Sequence, residues 1–322
     1  MFKAVLLYRV HEDTLLDMAA LEDAAANHAA VPLHPSQAKR IGWDAPAGEG
    51  QGRLVHEIQG HRIMTALFQQ KMLPPAVVKK EVESRAIRME KSQGAPIGKR
   101  QRATLKEQVY SEFLPRAFVR TARVSLWWDI HRRLIGIDTT SRKRAEEALD
   151  LLRQTLGSLK VTPLATQSTP RAAMTRWLLE PDCRPAWLGL GDQTVLTSAE
   201  DSTFTARKAD LDSDNVRQLL DSGHYVSRIA LSMDSQAKMV LTDDLSLKGL
   251  KFDDALLDEA SEAEDENPVA RFETEFSIMA SSLSLITAQL IEALGGEAEV
   301  TFPSEESVNA STQQASEQTA VA

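Results

Sequence analysis

Helical periodicity runs from Pro74 to Phe113 and is interrupted once, at Gly94-Ala95-Pro96-Ile97-Gly98. Proline is tolerated in a first helical turn, so Pro74-Pro75 opens a helix reaching about Lys91. At 100° per residue, Val78, Val82, Ala86 and Met89 fall within about 80° of one another and form a stripe for burial. Lys80, Arg88 and Lys91 fall on the opposite side. After the break, Lys99-Arg100-Gln101-Arg102 leads into a second helix ending near Phe113. The stretch of about 74–116 is therefore expected as a protruding helical hairpin with a basic tip.

Around it, helix and strand signals do not alternate regularly, which favours an α+β fold over a doubly wound α/β sheet. Residues 3–10 have the apolar run of a buried strand, and a helix over about 13–26 offers Leu15, Leu16, Met18 and Leu21 inward. The glycines at 42, 48, 50 and 52 are read as loop, and 62–68 as a strand. Val119–Trp128 and Leu134–Asp138 form an expected β-hairpin about His131-Arg132-Arg133. Ser141 suits the N-cap of a helix ending at Gly157, with Ala145, Ala148, Leu149, Leu152 and Leu156 inward. Pro163 and the polar stretch to Pro170 are read as a hinge. Beyond it come a helix near 174–180, a strand near 204–207 and a helix near 213–220. Strands near 225–233 and 238–242 follow, and then a long apolar-faced helix from Val269 to Leu294. The chain is thus expected as two mixed α/β lobes, 1–165 and 166–300, with a disordered tail over 301–322 rich in Ser, Thr, Gln, Ala and Glu.

Net charge is −9, which taken alone disfavours a polyanionic partner. Its distribution points the other way. Residues 71–144 hold 18 Lys/Arg and 7 Asp/Glu, a local charge of +11, leaving −20 for the rest of the chain. From Phe252 onward there are 16 acids and one base, Arg271. Such segregation sets a positive field on an acidic body, the pattern of a phosphate-binding surface. The cations expected to carry it are Lys79, Lys80, Arg85, Arg88, Lys91, Lys99, Arg100, Arg102, Arg116, Arg120 and Arg123. On the outer face of the first helix, Lys80 and Arg88 stand one turn from Ser84 rather than from an acid, so helical ion pairs do not account for them. Arg142-Lys143-Arg144 opens a helix, where the macrodipole disfavours cations; there Glu146 and Glu147, at i+4 from Arg142 and Lys143, are expected to neutralise them.

Catalytic and metal motifs give little. Cys183 is the only cysteine, which excludes an intrachain disulfide and a multi-cysteine metal site. In His56-Glu57-Ile58-Gln59-Gly60-His61 the histidines are five apart, not the four that put two ligands on one helix face. The glycines from 48 to 52 lack the Lys-Ser/Thr of a phosphate loop, and Gly189-Leu190-Gly191 lacks a third glycine; both are read as loops. Asp243-Asp244 and Asp253-Asp254 have no third acid at metal-site spacing, so turn and capping roles are expected. No cofactor, metal or catalytic residue is assigned, and an enzyme is not expected. Two other readings stay open: a metal-dependent nuclease or phosphohydrolase using the paired aspartates, and an acidic adaptor binding a basic protein through 253–266. The apolar run Ala4–Leu7 is too short for a signal-peptide core, and no run of about 18 uninterrupted apolar residues occurs. A cytoplasmic protein without membrane contact is expected.

Phe113-Leu114-Pro115-Arg116-Ala117-Phe118-Val119-Arg120 resembles the Leu-Pro-Arg-Ala-Phe signature of the bacterial RdgC proteins. Shorter resemblances run in order along the chain at Leu7-Tyr8-Arg9, Gly42-Trp43, Leu73-Pro74, residues 151–153, 156–159 and 161–164, residues 206–211 and 246–252, and residues 291–298. Together they cover roughly 3–298. The resemblance implies a ring-shaped homodimer closed through two different contacts, with a positive hole that encircles double-stranded DNA without sequence preference. It also implies a nucleoid-associated protein that modulates homologous recombination by limiting RecA access. Phe118 matches a family position at one dimer contact, although its residue type alone would suit a core; Lys208 matches a basic position near the other. Ala209 stands where the family is often polar, which puts hydrogen bonding at that contact in doubt. The glycines and proline at 94–98 replace a more charged helical run, implying a shorter or more mobile hairpin tip.

Overall fold

The computed structural model describes residues 1–11, 16–48, 52–234, 236–256 and 268–299. Leu15, the centre of the 48–52 glycine run, most of the acidic 253–266 segment and the tail from 301 lie outside these residues. In chain order the elements are β1 (Ala4–Val10), α1 (Met18–Ala26), β2 (Lys39–Asp44), β3 (Val55–Ile58), β4 (His61–Met72), α2 (Pro75–Gln93), α3 (Lys99–Phe113), β5 (Phe118–Asp129), β6 (Leu134–Ile137) and α4 (Arg142–Leu156). They continue with β7 (Val161–Pro163), α5 (Pro170–Leu179), β8 (Leu188–Thr197), β9 (Thr203–Arg207), α6 (Asp214–Asp221), β10 (Tyr225–Met233), β11 (Ala237–Thr242), β12 (Leu247–Phe252) and α7 (Pro268–Ala293).

The fold is α+β, built on an antiparallel sheet in the order β2-β4-β5-β6-β1-β12-β11-β10-β8-β9, with β3 added to β4 and β7 to β1. β1 joins the two halves, pairing with β12 at Ala4 and Val5 and with β6 from Leu6 to Arg9. Its apolar run reflects burial on both faces: Val5 and Leu7 enter one core, Leu6, Tyr8 and Val10 the other. The first half of the sheet is covered by α1 and α4 on one face, where Leu21, Ala25, Ala145, Ala148, Leu149 and Leu152 are buried. α7 crosses the other face against β3, β4 and β5 and packs Phe276, Met279, Leu283, Ile286 and Leu290 into the second core with α5 and α6. By length and composition α7 could cross a membrane, but that apolar face is spent on the core.

The glycine-containing stretch at Gly42 is strand β2 and not loop, because Trp43 is fully buried and needs a backbone fixed by pairing with β4. Its indole N–H donates to Thr155 Oγ1 on α4 at 2.7 Å. Gly189 and Gly191 likewise lie within β8; a Cβ at Gly191 would come within 2.7 Å of Ala230 on β10. The expected hinge is tied down instead. β7 pairs with β1, and Gln167 and Ser168 donate backbone N–H bonds to Gly296 and Leu294. His56 and His61 flank a tight β3–β4 turn through Gln59 and Gly60, both at positive φ.

Thr155→Val keeps the shape of the side chain but leaves the Trp43 indole N–H buried without an acceptor. Unfolding free energy from urea titration is expected to fall by about 1–3 kcal/mol, with the m-value unchanged.

Candidate nucleic-acid interface

β4 and β5 pair without a break from His61↔Asp129 to Met72↔Phe118, and their outer ends carry α2 and α3. These helices pack on each other and not on the main cores. Val78, Val82 and Ala86 of α2 bury against Leu105 and Val109 of α3, with Leu73, Met89, Ile97 and Phe113 closing the edges. So narrow a shared core leaves most of both helices exposed, and with them the cations. α2 ends at Gly94 in the left-handed region, whose N–H donates to Glu90 O. The tip is completed by Ile97 N–H to Glu90 Oε1 at 3.1 Å and Gly98 N–H to Gln101 Oε1 at 3.0 Å.

The eleven cations expected at the interface divide into free and engaged groups. Among the described residues, Lys79, Lys80, Lys91, Lys99, Arg100, Arg116 and Arg120 form no ion pair, and all are exposed. Arg85 is held by Glu81 at 2.7 Å and Glu112 at 2.8 Å; hydrogen bonding to Glu112 and then Glu81 pushes its pKa above the ordinary value. Arg88 reaches Glu81 at 3.4 Å as well as Ser84, and Arg102 approaches Glu90 at 4.0 Å. Arg123 bonds Asp44 at 2.5 Å and the Ala45 carbonyl. The expectation that ion pairs do not account for the outer face of α2 is therefore corrected for Arg88. Its acid lies two turns back at Glu81, beyond the one-turn spacing of a helical ion pair.

The free cations also separate by direction. Lys79 lines a groove between α2 and α3 of about 590 Å³ together with Lys99, Arg102 and Lys106, over an apolar floor that includes Val78, Val82 and Tyr110. Lys80 stands about 100° around α2 from Lys79, with Lys91 on its own side. Lys106 carries no signal in the sequence, since one exposed lysine inside a helix has no assignable role until the partner helix is in place.

At the root of the arm, Phe118 is 87% exposed. Core burial of this residue is overturned. Met72, its cross-strand partner, is also exposed, so the two make an apolar patch on a single sheet face. Arg120 follows two residues later on that face. Lys208 lies past the end of β9, the last strand of the sheet, with a positive φ of 51°.

The neutralisation expected at the start of α4 does not occur. Arg142 pairs with Asp244 at 2.9 Å, Glu146 accepts from Tyr8 Oη at 3.1 Å, and Glu147 pairs with Lys39 at 2.8 Å. Lys143 and Arg144 are left without an acid among the described residues. Three of the four paired aspartates have structural partners. Burial opposes ionisation of Asp244, yet hydrogen bonds from Thr242, Ser246 and Arg142 hold its carboxyl well below the usual carboxylate range. Asp243 lies 3.5 Å from Arg171, and Asp253 accepts from Ala255 N–H.

Comparison with known proteins agrees with this architecture in extent. A family model described as "Putative exonuclease, RdgC" matches residues 1–297. The recombination-associated protein RdgC of Proteus mirabilis is 33% identical over 300 residues, covering 92% of this chain and 99% of that protein. Those of Yersinia enterocolitica and Yersinia pestis are 33% and 34% identical with the same coverage.

Proposed function

The chain belongs to the RdgC family, and from that premise we propose that it binds duplex DNA without reading sequence, as a closed ring of two copies. In this reading it acts in homologous recombination by limiting the access of RecA to DNA, in the cytoplasm on the nucleoid, and without catalysing a reaction. The observation that carries the reading is the set of exposed cations on and beside the arm that have no acid partner among the described residues, on a chain whose net charge is −9. Most of them are lysines, which meet phosphate oxygens as point charges. Phosphate contacts fix a duplex in place but carry no sequence information. A ring of two copies is supported by an exposed apolar patch, Phe118 with Met72, at the root of the arm, and by the outer edge of β9 beside Lys208, unpaired among the described residues and far along the strand order from it. Unlike contacts at two separate places are what ring closure needs.

A nuclease is the second reading, and the description of the family model favours it. Against it, Asp243 and Asp244 are engaged by Arg171 and Arg142, and Asp244 also by Thr242 and Ser246.

Phosphate-dominated binding makes log K fall with log salt by about 0.9 per phosphate neutralised. Lys80→Ala with Lys91→Ala is expected to reduce that slope by about 2 and to weaken all duplex sequences alike. Arg88→Ala should change it less, since Glu81 already holds that guanidinium. An unaltered slope in the double variant would remove this face from the contact. Phe118→Ala is expected to leave the subunit folded, with unchanged circular dichroism, while sedimentation shows a weakened dimer. An unaltered dimer with unaltered DNA retention would count against a role at the contact.

A further inference from the structure

A second basic feature lies away from the arm, where the N-terminal turn of α4 faces the outer ends of β2, β4 and β5. Cross-strand register puts positions 39, 70 and 120 on one sheet face, with 41, 68 and 122 alongside. α4 packs against β2 and β5. Between the helix start and the strands is a cavity of about 230 Å³ lined by Arg120, Lys143, Arg144, Ser141 and the Lys39–Glu147 pair.

Its charge is unusual for so small a crevice. Arg120, Lys143 and Arg144 form no ion pair among the described residues, while the one acid in the lining, Glu147, is matched by Lys39 at 2.8 Å. Arg40 also lines the space and forms no ion pair among the described residues, so four uncompensated cations surround it. The positive end of α4, a 15-residue helix, adds to their field instead of relieving it. Ser141 Oγ caps only the Arg144 N–H, leaving the Arg142 and Lys143 N–H groups without a protein acceptor among the described residues. Cations gathered at a helix N-terminus repel each other and the macrodipole, and an anion turns both effects into attraction. The space is smaller than the roughly 300–1,000 Å³ that encloses a drug-sized ligand. It suits a single phosphate group rather than a whole nucleotide.

We propose that this cavity is a phosphate seat, gripping one backbone phosphate of the bound duplex through Arg120, Lys143 and Arg144. The proposal deepens the DNA-binding reading and rests on it for the source of the phosphate. The seat lies outside the hairpin, so it would fix the duplex against the sheet while the arm follows the backbone farther along.

The test uses the full chain, Lys143→Ala with Arg144→Ala, and two probes: inorganic phosphate and a blunt duplex without terminal phosphates. The expected result is that inorganic phosphate binds the parent chain and not the double variant, and that the salt slope for duplex binding drops by about 1 to 2 in the variant. Removing cations from a helix start should not lower the melting temperature. Glu147→Gln supplies a change that misfolding cannot mimic, an affinity for inorganic phosphate higher by about threefold from the loss of one negative charge in the cavity lining. Phosphate binding lost in the variant with an unaltered duplex slope would keep the seat but assign it to free phosphate, overturning the backbone source. If the parent chain binds phosphate but no duplex, the DNA-binding reading fails and the seat survives. Equal phosphate binding by the parent chain and the double variant would overturn the seat.

Discussion

The register between β4 and β5 determines where nearly everything functional sits. Inner residues of both strands, such as Ile63, Met64, Val124 and Trp127, are buried under α1 and α4 on one face or α7 on the other. Toward Met72 and Phe118 these coverings end, but backbone pairing does not. The ladder thus reaches past the main cores, where Met72 and Phe118 are exposed and α2 and α3 supply a small core of their own. A twelve-residue pair costs little to extend, since each added residue makes its own cross-strand contacts. The reward is a projecting surface whose composition is free of packing constraints.

That freedom explains how a chain with net charge −9 can present a positive surface. Most of the seven acids within the basic region are committed: Glu81 and Glu112 to Arg85, Glu90 to the tip, Asp129 to Arg132 and Ser284, and Asp138 to the Lys3 and Ala4 N–H groups, while Glu83 and Glu107 form no ion pair among the described residues. On α4, Glu146 is engaged by Tyr8 and Glu147 by Lys39, while Arg142 takes Asp244 instead. What remains is uncompensated charge at two places, the arm and the cavity beside α4. A field of this kind attracts a polyanion at long range and weakens with salt, whereas the apolar Phe118–Met72 patch does not.

Local periodicity revealed what is decided locally. The stripe Val78–Val82–Ala86, the break at Gly94–Gly98, the Ser141 cap and the Gly157 terminator all depend on spacing within one or two turns, and each stands where the sequence put it. The strands not expected from the sequence, β2, β3, β7, β8 and β12, are short, carry glycines or alternate irregularly, and only neighbours such as Trp43's partner Thr155 or Ala230 opposite Gly191 make sense of them. Of the candidate site, the cations were legible as a cluster but their partners were not. Arg88 finds Glu81 two turns away, Arg123 finds Asp44 across the sheet, and Lys39 takes the acid that spacing assigned to Lys143. Tertiary contact, unseen in spacing, settled which charges are left for a ligand.

Encirclement has a topological consequence that surface binding lacks: a closed ring can slide off an open end but not off a circle. The direct measurement is retention on a relaxed circular plasmid and on the same plasmid linearised, washed at a salt concentration that abolishes phosphate contacts. The account predicts that protein stays on the circle and is lost from the linear form, and that cutting the circle releases it. Equal loss from both would contradict a closed ring and leave only a basic surface.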